Sequence, residues 1–134
     1  MTLENKSLVE AHIDLSWNKG KYSLLKQTVA TGFRHQTTFD DGFRNFEGYV
    51  EYVEDIRRAA PDLEVTVEDI MAEDNKVITF STFFGSFDHP IFGMPANGKI
   101  IAFSAASIWI IHRGKIIEQT TMVDLAGLQK QLNA

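Results

Sequence analysis

The chain contains no cysteine among its 134 residues. That excludes a disulfide framework, a thiolate metal site and a cysteine nucleophile. It also fits a reducing compartment, and the expectation is a cytoplasmic protein. No window approaches the ~18 uninterrupted apolar residues that a membrane-spanning helix needs. The opening MTLENKSLVE lacks the apolar run of a secretory leader. There is no basic cluster either, and the net charge is −5. Strong nucleic-acid binding is therefore not expected, nor is a membrane partner. No two histidines stand at metal-ligand spacing with a carboxylate, so no metal site is expected.

What is present is an ordinary globular balance, 44% hydrophobic and 23% charged. The length fits one domain, residues 1–134, large enough to bury a core without staples. Leu3 to Trp17 reads as an amphipathic helix closed by Asn18-Lys19-Gly20, and Tyr22 to Thr28 as a second short helix. Phe33 to Phe39 carries β-branched and aromatic residues and reads as a strand. Asp40-Asp41-Gly42 is a turn. From Phe46 to Ala60 the apolar residues recur at three and four, a helix that Pro61 ends. Leu63 to Met71 and Val77 to Phe87 read as a hairpin. The segment Asp88 to Gly98, with two prolines and two glycines, reads as a loop. Lys99 to His112 and Lys115 to Val123 form a second hairpin about Arg113-Gly114, and Leu125 to Leu132 a closing helix. Successive hairpins predict an α+β fold with a curved antiparallel sheet and helices on one face. Strands this long must bend, and the bend encloses a pocket.

Several short motifs recur along this order. They are Pro61-Asp62-Leu63, Asn75-Lys76-Val77, Phe92-Gly93-Met94-Pro95, Asn97-Gly98-Lys99, Gly114-Lys115-Ile116-Ile117-Glu118, Asp124 and Gln131-Leu132. Together they resemble the SnoaL-like polyketide cyclase family of the nuclear-transport-factor-two-like superfamily, over nearly the whole chain. The resemblance implies a cone-shaped barrel closed by N-terminal helices, with an apolar internal pocket. It also implies ring closure by acid/base catalysis on an apolar carbonyl-bearing small molecule, with no cofactor. Isomerase, lyase, hydrolase and dehydratase chemistry, and non-catalytic ligand binding, all remain open on this fold.

Asp124 matches the position of the family's catalytic aspartate. An apolar wall of Met122, Val123 and Leu125 would lift its pKa toward a working pH. The competing reading is a helix N-cap ahead of Leu125. His35 shares a strand face with Phe33 and Thr37, and the family often places a histidine there to polarise a carbonyl. The alternative is a satisfied histidine at the sheet surface. Trp17 resembles the aromatic that roofs the cavity in relatives. Tyr49 and Tyr52 lie on the covering helix, Phe92 and Met94 in the loop at the pocket mouth. Glu118 and Thr120 share the strand parity of Met122 and Asp124. Family members often carry tryptophan where Thr120 stands, a departure that widens or rewets the pocket. On the fourth strand Phe103, Trp109 and Ile111 share one face and Ile108 and Ile110 the other. Both faces are apolar, so a homodimer is expected to cover one of them.

Overall fold

In a computed structural model of the chain, residues 2–38, 40 and 42–133 are described. The first helix, α1 (Thr2–Ile13), buries Val9, His12 and Ile13, three and four apart on one side. Its last turn then widens to π-helical hydrogen bonding over Asp14–Lys19. The wider turn brings neighbouring Ser16 and Trp17 inward together. Gly20 ends it with φ 62, a left-handed cap where a side chain is costly. The Asn18 side chain locks this corner to the sheet edge. Its Nδ2 donates to the Val65 carbonyl at 3.1 Å, and its Oδ1 accepts from the Val65 N–H at 2.8 Å.

A short α2 (Tyr22–Leu25) and a 3₁₀ turn (Lys26–Thr28) lead into β1 (Val29–Thr37). That strand begins four residues before the predicted Phe33. The expected end at Phe39, and Asp41 of the predicted turn, lie outside the described residues. Helix α3 (Phe46–Ala59) is capped by Asn45, whose side chain accepts from Gly48 N–H at 2.9 Å. It buries Tyr49, Val53, Ile56 and Ala59. The meander β2 (Glu64–Glu73), β3 (Lys76–Ser86), β4 (Ile100–His112) and β5 (Lys115–Val123) follows, and α4 (Leu125–Leu132) closes the fold.

The sheet order is β1-β5-β4-β3-β2. The α+β architecture and the curved sheet agree with the sequence reading; two details differ. β1 pairs with β5 in parallel, so the sheet is mixed rather than wholly antiparallel. Hairpin logic governs only consecutive strands, and α3 separates β1 from the meander. The sheet is also open: β1 and β2 are its two edges, and no ladder joins them among the described residues. The helices cover the concave side instead.

Irregularities at Val67/Asp69 and Ile110/Ile111 bend the ladders. The second fixes what β5 shows to the interior. Ile110 pairs with Glu118 but Ile111 with Ile116, so Ile117 is an extra residue. Alternation reverses there, and after buried Ile116 the inward positions become Gln119, Thr121 and Val123. Along β4 the inward set is Ile101, Phe103, Ala105, Ser107, Trp109 and Ile111. Each large apolar side chain buried here contributes roughly 1.5–3 kcal/mol. No helix among the described residues is long and apolar enough to cross a membrane.

Candidate functional site

The concave face, α1, α3 and the loop after β3 surround a narrow cavity, with about 20 Å³ open to the centre of a water molecule. Its roof is Ile13, Trp17, Tyr52, Ile56 and Phe92. The floor is not uniformly apolar. Among Phe83, Phe103, Ala105 and Trp109 stand Thr79, Ser81, Ser107, Gln119, Thr121 and His35. These side chains satisfy one another in part. Trp109 Nε1 donates to Thr79 Oγ1 at 2.9 Å. Ser107 and Thr121 share a hydroxyl bond at 2.9 Å, and Gln119 Nε2 donates to Thr121 Oγ1 at 3.3 Å. Gln119 Oε1 is buried and meets no hydrogen-bond partner at ordinary distance among the described residues.

His35 sits at the β1 edge of this floor, 1% exposed. Reciprocal backbone bonds to Arg44 at 2.9 and 2.7 Å hold its strand position. The Arg44 guanidinium lies 3.5 Å from His35 Nδ1. A guanidinium only donates, so Nδ1 is the acceptor and the ring proton is on Nε2. Burial, with Arg44's charge second, lowers the His35 pKa to about 3. The ring is therefore neutral at pH 7, a hydrogen-bond donor through Nε2. Arg44 is itself anchored by Asp40 Oδ2 at 2.5 Å and lies 4.5 Å over the Tyr52 ring. Burial pushes the Asp40 carboxyl up. The Thr37 hydroxyl and Arg44 outweigh it and hold the group below its usual range.

Behind the floor a second histidine is buried. His12 Nδ1 meets Thr28 Oγ1 at 2.9 Å, and its Nε2 meets no hydrogen-bond partner at ordinary distance among the described residues. Its ring packs against Phe33, Tyr49 and Trp109. Burial lowers its pKa to about 3, with repulsion from His35 second.

The sequence-predicted residues divide. His35, Trp17, Tyr52 and Phe92 line the cavity. Tyr49 is fully buried beside it, its hydroxyl donating to Ser16 Oγ at 3.0 Å, and it forms core rather than lining. Burial raises the Tyr49 and Tyr52 phenol pKa values. Met94 pairs with Ile91 in the loop and does not reach the cavity. Glu118, Thr120 and Met122 face the convex side, because the bulge at Ile117 gives the interior to the odd positions. There Glu118 pairs with Arg34 at 2.5 Å, and Met122 is 61% exposed. Asp124 is exposed on the same outer side and caps α4, accepting from Gly127 N–H at 3.0 Å. It does not line the cavity.

Sequence reasoning missed Ser107, Gln119 and Thr121. The signal was available: with Trp109 taken as the inward residue of β4, Ser107 follows by parity. The cross-strand pairs Ser107–Thr121 and Trp109–Gln119 then carry the assignment to β5.

Comparison with known proteins gives one family. The model of the SnoaL-like polyketide cyclase family matches residues 7–132. Among solved structures, TsrD from Streptomyces laurentii is 27% identical, covering 100% of this chain and 98% of its own, with TM-score 0.87. A protein of Jannaschia sp. CCS1 named for the SnoaL-like polyketide cyclases is 22% identical, covering 99% and 94%, with TM-score 0.88. A SnoaL-like polyketide cyclase from Agrobacterium tumefaciens is 17% identical, covering 96% and 97%, with TM-score 0.83. No match was found among curated proteins. By the extent of the family match, this chain belongs to the SnoaL-like polyketide cyclases.

Proposed function

We propose that the chain is a small-molecule cyclase or isomerase that works in this cavity on a carbonyl compound, without a cofactor. His35 carries the reading: a buried, neutral imidazole in the cavity wall, with its proton fixed on Nε2 by Arg44. A neutral imidazole polarises a carbonyl by donation and leaves no ion to discharge. As charge builds on the carbonyl oxygen, the adjacent C–H becomes acidic. The proton passes to solvent base, and the enolate either attacks a second carbonyl, whose oxygen takes a proton back from solvent, or is reprotonated at another carbon. The lining polar groups, Ser107, Gln119 and Thr121, suit the oxygens of a substrate more polar than the sequence suggested.

Asp124 does not share this space; here His35 takes the role of the donor that stabilises the enolate, and the proton is exchanged with solvent base. The convex face has its own proposed role. Ile78, Phe80, Ile108 and Met122 are 39%, 47%, 44% and 61% exposed, and a second copy of the chain covers them.

The test follows hydrogen–deuterium exchange at the carbon between two carbonyls, by NMR, over a panel of poly-β-carbonyl compounds. The wild type accelerates exchange for at least one compound. His35→Phe, close in shape, abolishes the acceleration, and Asp124→Asn keeps it. Full acceleration in His35→Phe removes His35 from the mechanism. A second reading, non-catalytic ligand binding, is favoured because the described residues that line the cavity include no carboxylate. Binding of a panel compound without any exchange selects it.

A further inference from the structure

The cavity is shut. Of the space between its walls, only about 20 Å³ is open to the centre of a water molecule. That is room for about one water. Immediately outside lies a groove with about 490 Å³ open on the same measure. Tyr52, Ile56 and Phe92 belong to both. They are one partition seen from two sides. Two of them, Tyr52 and Ile56, are held by α3, in the middle of a capped helix. Phe92 comes instead from a two-residue turn in the loop after β3, packed against the core.

That turn is unusual. Ile91 and Met94 exchange backbone bonds at 3.0 and 2.8 Å around Phe92 and Gly93. Both central residues have positive φ, 51 at Phe92 and 74 at Gly93. Such turns favour asparagine or glycine at the first central position, and a bulky side chain there is an outlier. The phenylalanine is placed where its backbone is least at ease, and its ring meets Tyr52 with centroids 6.5 Å apart. The ring forms part of the wall between groove and cavity.

We propose that Phe92 is the door of the cavity. The Ile91–Met94 turn swings its ring out, and ligands pass from the groove, beside Arg44 and His89, to His35 and Gln119. The width of the opening, set by Phe92 against Tyr52, then selects flat ligands over bulky ones. This extends the ligand-binding reading above, but its test needs no substrate. The chain has two tryptophans, Trp17 and Trp109, and both line the cavity, 5% and 1% exposed. Quenching of their fluorescence by acrylamide therefore reports access to the cavity itself.

Phe92→Ala removes the ring. Phe92→Asn also removes it, but with a residue that accepts positive φ, so the turn is kept. Both are expected to raise the acrylamide quenching constant on the order of threefold, while thermal unfolding stays cooperative. Leu24→Ala, a truncation of an exposed side chain away from the partition, is expected to leave it unchanged. If Phe92→Ala is poorly folded, the asparagine variant decides. Quenching at the wild-type level in Phe92→Asn overturns the door. So does an equal rise in Leu24→Ala, which would mean general breathing of the fold. A rise confined to the Phe92 variants, in a protein that fails the deuterium-exchange test, keeps the door and discards the chemistry.

Discussion

Lowering the pH from about 8 to about 5 should destabilise this protein through its two buried histidines, before its carboxylates matter. In the native state His12 and His35 have pKa values of about 3, against 6.5 for an unperturbed histidine. The native chain refuses protons that the unfolded chain binds. Their stability contribution is complete above pH 6.5, and is lost progressively as pH falls from there toward 3. At pH 5 the gap already used is about 1.5 pH units per histidine, which is about 2 kcal/mol each and roughly 4 kcal/mol together. That is a large part of the ~5–15 kcal/mol typical of a domain. The groups facing them do not cancel it. His12 meets Phe33, Tyr49, Trp109 and Thr28; His35 meets the Arg44 cation, with Asp40 held to Arg44. The lowered carboxyls of Asp14, Asp40 and Asp62 start from 3.8 and act below this window. Urea unfolding followed by tryptophan fluorescence, at fixed protein concentration, measures the effect. With a slope of about 2 kcal/mol per molar, the midpoint should fall by roughly 2 M. His12→Leu should show about half the pH dependence. A midpoint that is flat from pH 8 to pH 5, or that rises, refutes the burial of two neutral rings.

Asp124→Ala should cost about 1 kcal/mol in thermal or urea unfolding through loss of the α4 cap, while Asp124→Asn, an equally good cap, costs little. An equal loss in both would show that the carboxylate charge, not the cap, matters. Phe80→Glu places a charge in the middle of the convex apolar face and should convert a dimer to monomer in light scattering, with the fold intact by circular dichroism. A wild type that is monomeric at micromolar concentration ends the proposal that a second copy covers this face.

The elements were legible because their signals are local. Spacings of three and four fixed α3, Pro61 its end, and Arg113-Gly114 the last hairpin. The partner of β1 was not legible, since a strand separated from the meander by a helix has no local signal for its neighbour. The inward face of β5 was lost for a sharper reason. Alternation fixes parity, but a single extra residue at Ile117 reverses it, and nothing in Ile116-Ile117-Glu118 announces a bulge. That one residue sends Glu118, Thr120 and Met122 outward and brings Gln119 and Thr121 in. His35 lies on another strand and was unaffected. Asp124 was ambiguous from the start, and its hydrogen bond to Gly127 is the cap geometry.

The same bulge shapes the chemistry. The described residues of the lining include no carboxylate, and neutral hydroxyls and an imidazole with pKa of about 3 are too weak as bases to take a proton from an ordinary ketone. The deficit has to be met on the substrate side. A carbon flanked by two carbonyls is far more acidic and can lose its proton to hydroxide or buffer base from solvent, and one donor that stabilises the enolate then favours that loss. His35 supplies that donor. Its low pKa, a handicap for a base, is what keeps the proton on Nε2 available for donation without charging the site. Arg44 contributes twice, by fixing the tautomer and by opposing protonation. Activity on simple ketones would therefore contradict this arrangement more directly than inactivity on any one dicarbonyl compound.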